Sequence, residues 1–206
     1  MSDIWPTIHA ERRALADDLA TLRPEQWQTR SWCEAWTVHD VLAHLTSAAK
    51  MTPPKFAGRF AAAGFNFNKF AARQVAAEGA GGPAATLAEF GKVASRQSAP
   101  PGPKDTWLGE AFVHGEDIRR PLGIAHRYPL PYVARVITLY ANSNAIIGGK
   151  RRVSGLTLRA TDIDFRVGSG PVVEGPAVDL MLAASGRKQA LAALSGPGVE
   201  TLAGRP

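Results

Sequence analysis

Glu110-Ala111-Phe112-Val113-His114 sets a carboxylate and an imidazole one helical turn apart. Residues at i and i+4 share a helix face, so both side chains can reach one metal ion. The run continues through Gly115-Glu116-Asp117-Ile118-Arg119-Arg120 to Pro121-Leu122-Gly123, where Pro121 and Gly123 are expected to stop the helix. A second imidazole, His44, stands far upstream in Trp36-Thr37-Val38-His39-Asp40-Val41-Leu42-Ala43-His44-Leu45. Two histidines and a glutamate leave a coordination position open, as catalytic zinc sites do. Spacing alone does not separate that reading from a solvated helix face, the commoner reason for Glu and His at this interval.

Working outward, the chain reads as helices first and strands late. Ile4, Ile8, Leu15, Leu19 and Leu22 form one apolar stripe over 3–22. After a Trp-rich connector (Trp27, Trp32, Trp36), Thr37 with Asp40 gives a capping-box pattern for a helix running to about Lys50. Two short helices are expected over 55–79, another from Thr86 to about Gln97, and one opening at Pro131 and ending before Gly148. Leu156–Ala160 and Ile163–Val167 alternate apolar and polar about a tight turn at Thr161-Asp162, the signature of a hairpin. A third short run, Val172-Val173-Glu174, precedes a helix opening at Gly175-Pro176, and 188–203 reads as further short helical pieces. The expected architecture is mostly α: an all-α bundle over 1–150, then a small α+β unit over 151–206.

Composition narrows the function classes. With 45% hydrophobic and 20% charged residues, the chain of 206 residues has material for a real core. No apolar run reaches the roughly 18 residues a membrane span needs, so no membrane partner is expected. The N-terminus lacks a signal-peptide layout, and the single cysteine, Cys33, cannot form an internal disulfide. Both point to the cytoplasm. The net charge of +6 raises the question of nucleic acid. Its basic residues are scattered, however, with no aromatic-basic interleaving, so anionic small molecules or a solvated surface are expected instead.

Three stretches together resemble the mycothiol-dependent maleylpyruvate isomerase-like family, within the wider DinB/YfiT-like metal-binding superfamily. Ser31 to Leu45 is similar to the family's W-x-V-x-D-V-x-x-H-L second helix, and Glu110 to Gly123 to its E-x-x-x-H-x-x-D-I-R-R-P-L-G helix. The tail from Thr161-Asp162 to Gly186-Arg187 is similar to the family's sterol-carrier-like C-terminal unit. The resemblance implies a DinB-like four-helix bundle holding Zn²⁺ or another divalent metal through His44, Glu110 and His114. It further implies activation of mycothiol, a low-molecular-weight thiol, toward a small electrophile by an isomerase or S-transferase. A non-catalytic metal- or hydrophobe-binding protein and a metal-dependent hydrolase are the rival readings.

Around that set, Asp117 reads equally as a partner to His114 and as a solvent pair of Arg119, Arg120 or another nearby basic residue. His39 and His9 are expected on the surface. Cys33 reads as a small packing residue. Arg159 and Arg166, on the expected hairpin, are weaker catalytic candidates: arginine binds carboxylates bidentately, although exposed strand arginines are common.

Overall fold

In a computed structural model the chain forms two compact units, residues 1–125 and 126–206. Residues 3–33, 35–144 and 147–206 are described; Glu34, inside the Ser31–Leu45 motif, lies outside them.

The first unit contains α1 (Trp5–Leu19), a short 3-10 helix (Pro24–Gln28), α2 (Val38–Lys50), α3 (Pro53–Ala62), α4 (Phe67–Gly79), α5 (Gly82–Val93) and α6 (Asp105–Leu122). Helices α1, α2, α5 and α6 close into a four-membered bundle, α1 and α2 each packing on both α5 and α6. α4 lies outside it against α2 and α5, and α3 rests on α4. Burial follows the sequence pattern. Leu15 and Leu19 of α1 meet Val38, Val41, Leu42, Leu45 and Ala49 of α2, Phe90 and Val93 of α5, Ile118 of α6 and the connector's Trp27. Each fully buried Val, Leu, Ile or Phe among them contributes about 1.5–3 kcal/mol.

The start of α2 is set as expected. Thr37 Oγ1 accepts from the Asp40 backbone N–H, and the Asp40 carboxylate accepts from the Thr37 N–H at 2.9 Å. Such a cap is worth about 1 kcal/mol. The end of α6 differs from expectation. Gly123 terminates the helix in the left-handed region at φ 70°, but Pro121 lies inside the last turn. Proline has no N–H for the carbonyl four residues earlier, here that of Asp117. The Trp32 backbone N–H donates to that carbonyl instead, at 3.0 Å. The bond also ties the Trp-rich connector to α6.

The second unit contains α7 (Leu130–Asn142), α8 (Gly149–Val153), β1 (Thr157–Ala160), β2 (Arg166–Gly168), β3 (Val172–Gly175), α9 (Ala177–Ala184), a 3-10 turn (Lys188–Ala193) and α10 (Val199–Ala203). α7 packs on α9 within this unit, and the division at 125/126 follows from that packing. The sheet order is β2-β1-β3, with β2 antiparallel and β3 parallel to β1. The link after β1 is longer than a tight turn, because β2 begins only at Arg166. Asp162 in that link accepts from the Ala177 N–H at 2.9 Å and so caps α9. No described helix is long and apolar enough to cross a membrane.

Candidate metal centre

Bundle geometry brings α2 and α6 together so that His44, Glu110 and His114 converge. Their ligand atoms all lie within 4.8 Å of one another, a group that could hold a metal ion. His44 Nε2 is 2.8 Å from one Glu110 oxygen, and His114 Nε2 is 4.0 Å from the other. Four-coordinate zinc with bonds near 2.0–2.1 Å separates its ligand atoms by about 3.3 Å, between those two values, so small side-chain rotations suffice. The three side chains remain 14 to 21% exposed, so the cluster is not sealed from solvent.

The neighbours orient the cluster. His114 Nδ1 is 2.8 Å from the Asp117 carboxylate, which is fully buried. A proton on Nδ1 donated to that carboxylate leaves the Nε2 lone pair facing Glu110, the arrangement usual for ligating histidines. Asp117 is not in solvent, where a pairing with a nearby basic residue would have placed it. Arg119 reaches Asp18 of α1 at 2.7 Å, and Arg120 pairs with Glu116. Trp36 lies against His44 at 4.8 Å between ring centroids and 6.3 Å from His114, and the two imidazoles meet edge-on at 4.8 Å.

Electrostatics favour an ionised glutamate. Burial is the largest single influence on the Glu110 carboxyl and would raise its pKa. His44, by charge and by hydrogen bond, with His114 and Arg12, outweighs burial and holds it down at about 2. Arg12 is a feature that the sequence reading passed over. It is buried on α1, donates to the Arg96 carbonyl at 3.0 Å, and has its pKa pushed down to about 10 by burial, with Glu110 opposing. It therefore stays cationic at neutral pH. A signal existed: the apolar stripe of α1 is interrupted at Glu11 and Arg12, and both are buried.

The remaining residues fall elsewhere. Cys33 is half-buried against the core and lies outside the ligand cluster. His39 and His9 are half-buried rather than exposed: His39 Nε2 meets Thr86 Oγ1 at 3.0 Å, and His9 Nε2 lies 3.3 Å from the Arg96 carbonyl. Arg159 and Arg166 are directly opposed on β1 and β2 in the second unit and both are exposed; Arg159 forms an ion pair with Glu174.

Residues 8–101 match the family model described as the mycothiol maleylpyruvate isomerase N-terminal domain. The likeness read from the motifs holds. This chain is similar to the mycothiol-dependent maleylpyruvate isomerases. The match takes in His44 and ends before Glu110 and His114. The crystal structure of the mycothiol-dependent maleylpyruvate isomerase aligns with a TM-score of 0.54 at 11% identity, covering 94% of this chain and 91% of that one. A histidine-to-alanine mutant of that isomerase aligns at 0.55 and 13%, with the same coverage. Likeness at that identity shows the isomerase fold, a helical domain followed by a small α+β unit. No curated protein matches the chain.

Proposed function

We propose that this protein is a divalent-metal enzyme, with zinc as the metal, that uses mycothiol as an isomerase or S-transferase on a small electrophile. The observation that carries the reading is the convergence of His44, Glu110 and His114 within an isomerase-like fold. The donor set fits a divalent ion of this kind: two imidazoles and one carboxylate, which leave a coordination position free. When bound, such an ion lowers the pKa of a thiol, so that the thiol reacts as thiolate at neutral pH.

The chain's own residues prepare that chemistry. Asp117 holds the Nδ1 proton of His114 and fixes the direction of Nε2. Trp36 covers one side of His44 with an apolar face. Arg12 supplies a cation near Glu110. In an isomerisation, the cosubstrate thiolate adds to an activated cis double bond and a C–S bond forms. Rotation about the resulting single bond follows; the C–S bond then breaks, the thiolate returns and the trans product leaves. In an S-transfer the same thiolate displaces a leaving group. Arg159 and Arg166 stand in this proposal as recognition groups for a substrate carboxylate.

The test is zinc titration and metal analysis of the purified protein, then assay against electrophiles with and without mycothiol. Alanine at His44, Glu110 or His114 is expected to weaken zinc binding by more than about 100-fold, above the range for outer partners, with the helical circular dichroism kept. Cys33→Ser should retain turnover, because the reacting sulfur belongs to the cosubstrate. Turnover without thiol would assign a hydrolase, and zinc binding unaffected by all three alanine variants would remove the metal centre.

A further inference from the structure

We infer that the α3–α4 hairpin is a docking surface for anionic phospholipid, which holds the protein at a membrane surface without crossing it, a partner that the sequence did not lead us to expect. The inference is independent of the metal centre. Five of the chain's eight phenylalanines, Phe56, Phe60, Phe65, Phe67 and Phe70, lie on this hairpin, in ring contact at centroid distances of 5.4 to 6.0 Å. α3 buries none of its residues. At the tip, Phe65 and Phe67 are 72% and 60% exposed, the large hydrophobics most open to solvent among the described residues. Phe65 also takes φ 57°, a left-handed conformation uncommon for an aromatic residue, which turns the chain at the tip.

Charge identifies the occupant. Residues 51–77 carry Lys55, Arg59, Lys69 and Arg73, all exposed, and no Asp or Glu. On α3 the basic pair Lys55/Arg59 runs beside the aromatic pair Phe56/Phe60 at i, i+4, and on α4 Lys69/Arg73 flanks Phe70. Phe56 and Phe60 are half-buried and Phe70 is buried, so the open aromatic surface is Phe65 and Phe67 at the tip, with the cations on the two helices leading to it. Apolar rings and cations on amphipathic helices are the features that seat a helix in a lipid headgroup layer. A second copy docked face to face here would set four cations against four. Phe56, Phe60 and Phe70 pack against one another, which leaves bases no ladder of separate aromatic faces along the hairpin. An anionic lipid surface accepts both the rings and the charge.

The test is co-sedimentation of the full chain with phosphatidylglycerol–phosphatidylcholine vesicles and with phosphatidylcholine alone. Binding is expected to the anionic vesicles only and to weaken with added salt. Each cation near such a surface is worth about fivefold in binding, so Lys55→Glu/Lys69→Glu should lose at least about tenfold. Phe65→Ser/Phe67→Ser should lose a similar factor. Both variants change exposed residues, so circular dichroism and zinc content should match the parent. Equal binding to neutral vesicles, no binding at all, or variants that bind like the parent would overturn the inference. So would oligonucleotide binding or self-association lost in these variants without any vesicle binding.

Discussion

At the scale of single residues, the contact that most shapes the metal centre is His114 Nδ1 to Asp117. A carboxylate behind a ligating imidazole raises its basicity and locks its ring. Removing that partner typically costs 10–100-fold in metal affinity. Asp117→Asn is therefore expected to weaken zinc binding by about one to two orders of magnitude while leaving the three ligands in place. Competition with a chromogenic chelator measures this, and an unchanged affinity would show that His114 needs no support. Among its basic neighbours, Arg119 pairs with Asp18 of α1 and Arg120 with Glu116 of α6. Counting charges along the chain shows only that carboxylates and guanidiniums sit side by side.

At the scale of elements, α6 carries a proline in its last turn at little cost. An interior helix proline costs about 3 kcal/mol, partly through the bond it deletes, but here Trp32 N–H occupies the Asp117 carbonyl. Pro121→Ala is accordingly expected to change stability by less than about 1 kcal/mol rather than recover that full cost. Urea unfolding reads the difference directly. His39 joins α2 to Thr86 of α5, and burial lowers its pKa below the ordinary 6.5, with Asp40 opposing. The folded state thus prefers the neutral ring, and the unfolded chain takes up the proton more readily. Its contribution is complete above about pH 6.5 and is lost as pH falls through the lowered folded value. His39→Gln should flatten the acid side of the stability curve below about pH 6.5. If the urea midpoint of the variant falls with pH as the parent's does, the ring is not the source.

At the scale of the whole molecule, the metal ligands all belong to the first compact unit, and Arg159 and Arg166 to the second. A fragment ending at Ala125 keeps His44, Glu110, His114 and Asp117. It should hold zinc within about one order of magnitude of the full chain, since the outer partner that tunes affinity is retained. If the proposed recognition by the two arginines is right, that fragment has no thiol-dependent turnover. Full turnover by the fragment would confine catalysis to the bundle.

Local features were legible in the sequence because they depend on near neighbours along the chain. The capping box of Thr37 and Asp40, the shared face of Glu110 and His114 and the apolar face of α2 follow from spacings of three and four residues, and the pair of helices over 55–79 from Ala/Phe-rich runs with Gly64 between them. The left-handed Gly123 is legible too, since glycine reaches that conformation without a Cβ clash. Only the tertiary structure decided the rest. The approach of His44 to Glu110, the donation from Trp32 to Asp117, the burial of Arg12 and the parallel pairing of β3 on β1 join residues distant in sequence. Periodicity says which face of an element is buried, but the choice of partner is made by packing and hydrogen bonding between elements. That choice turns a Glu and a His on one helix, with a His on another, into one cluster.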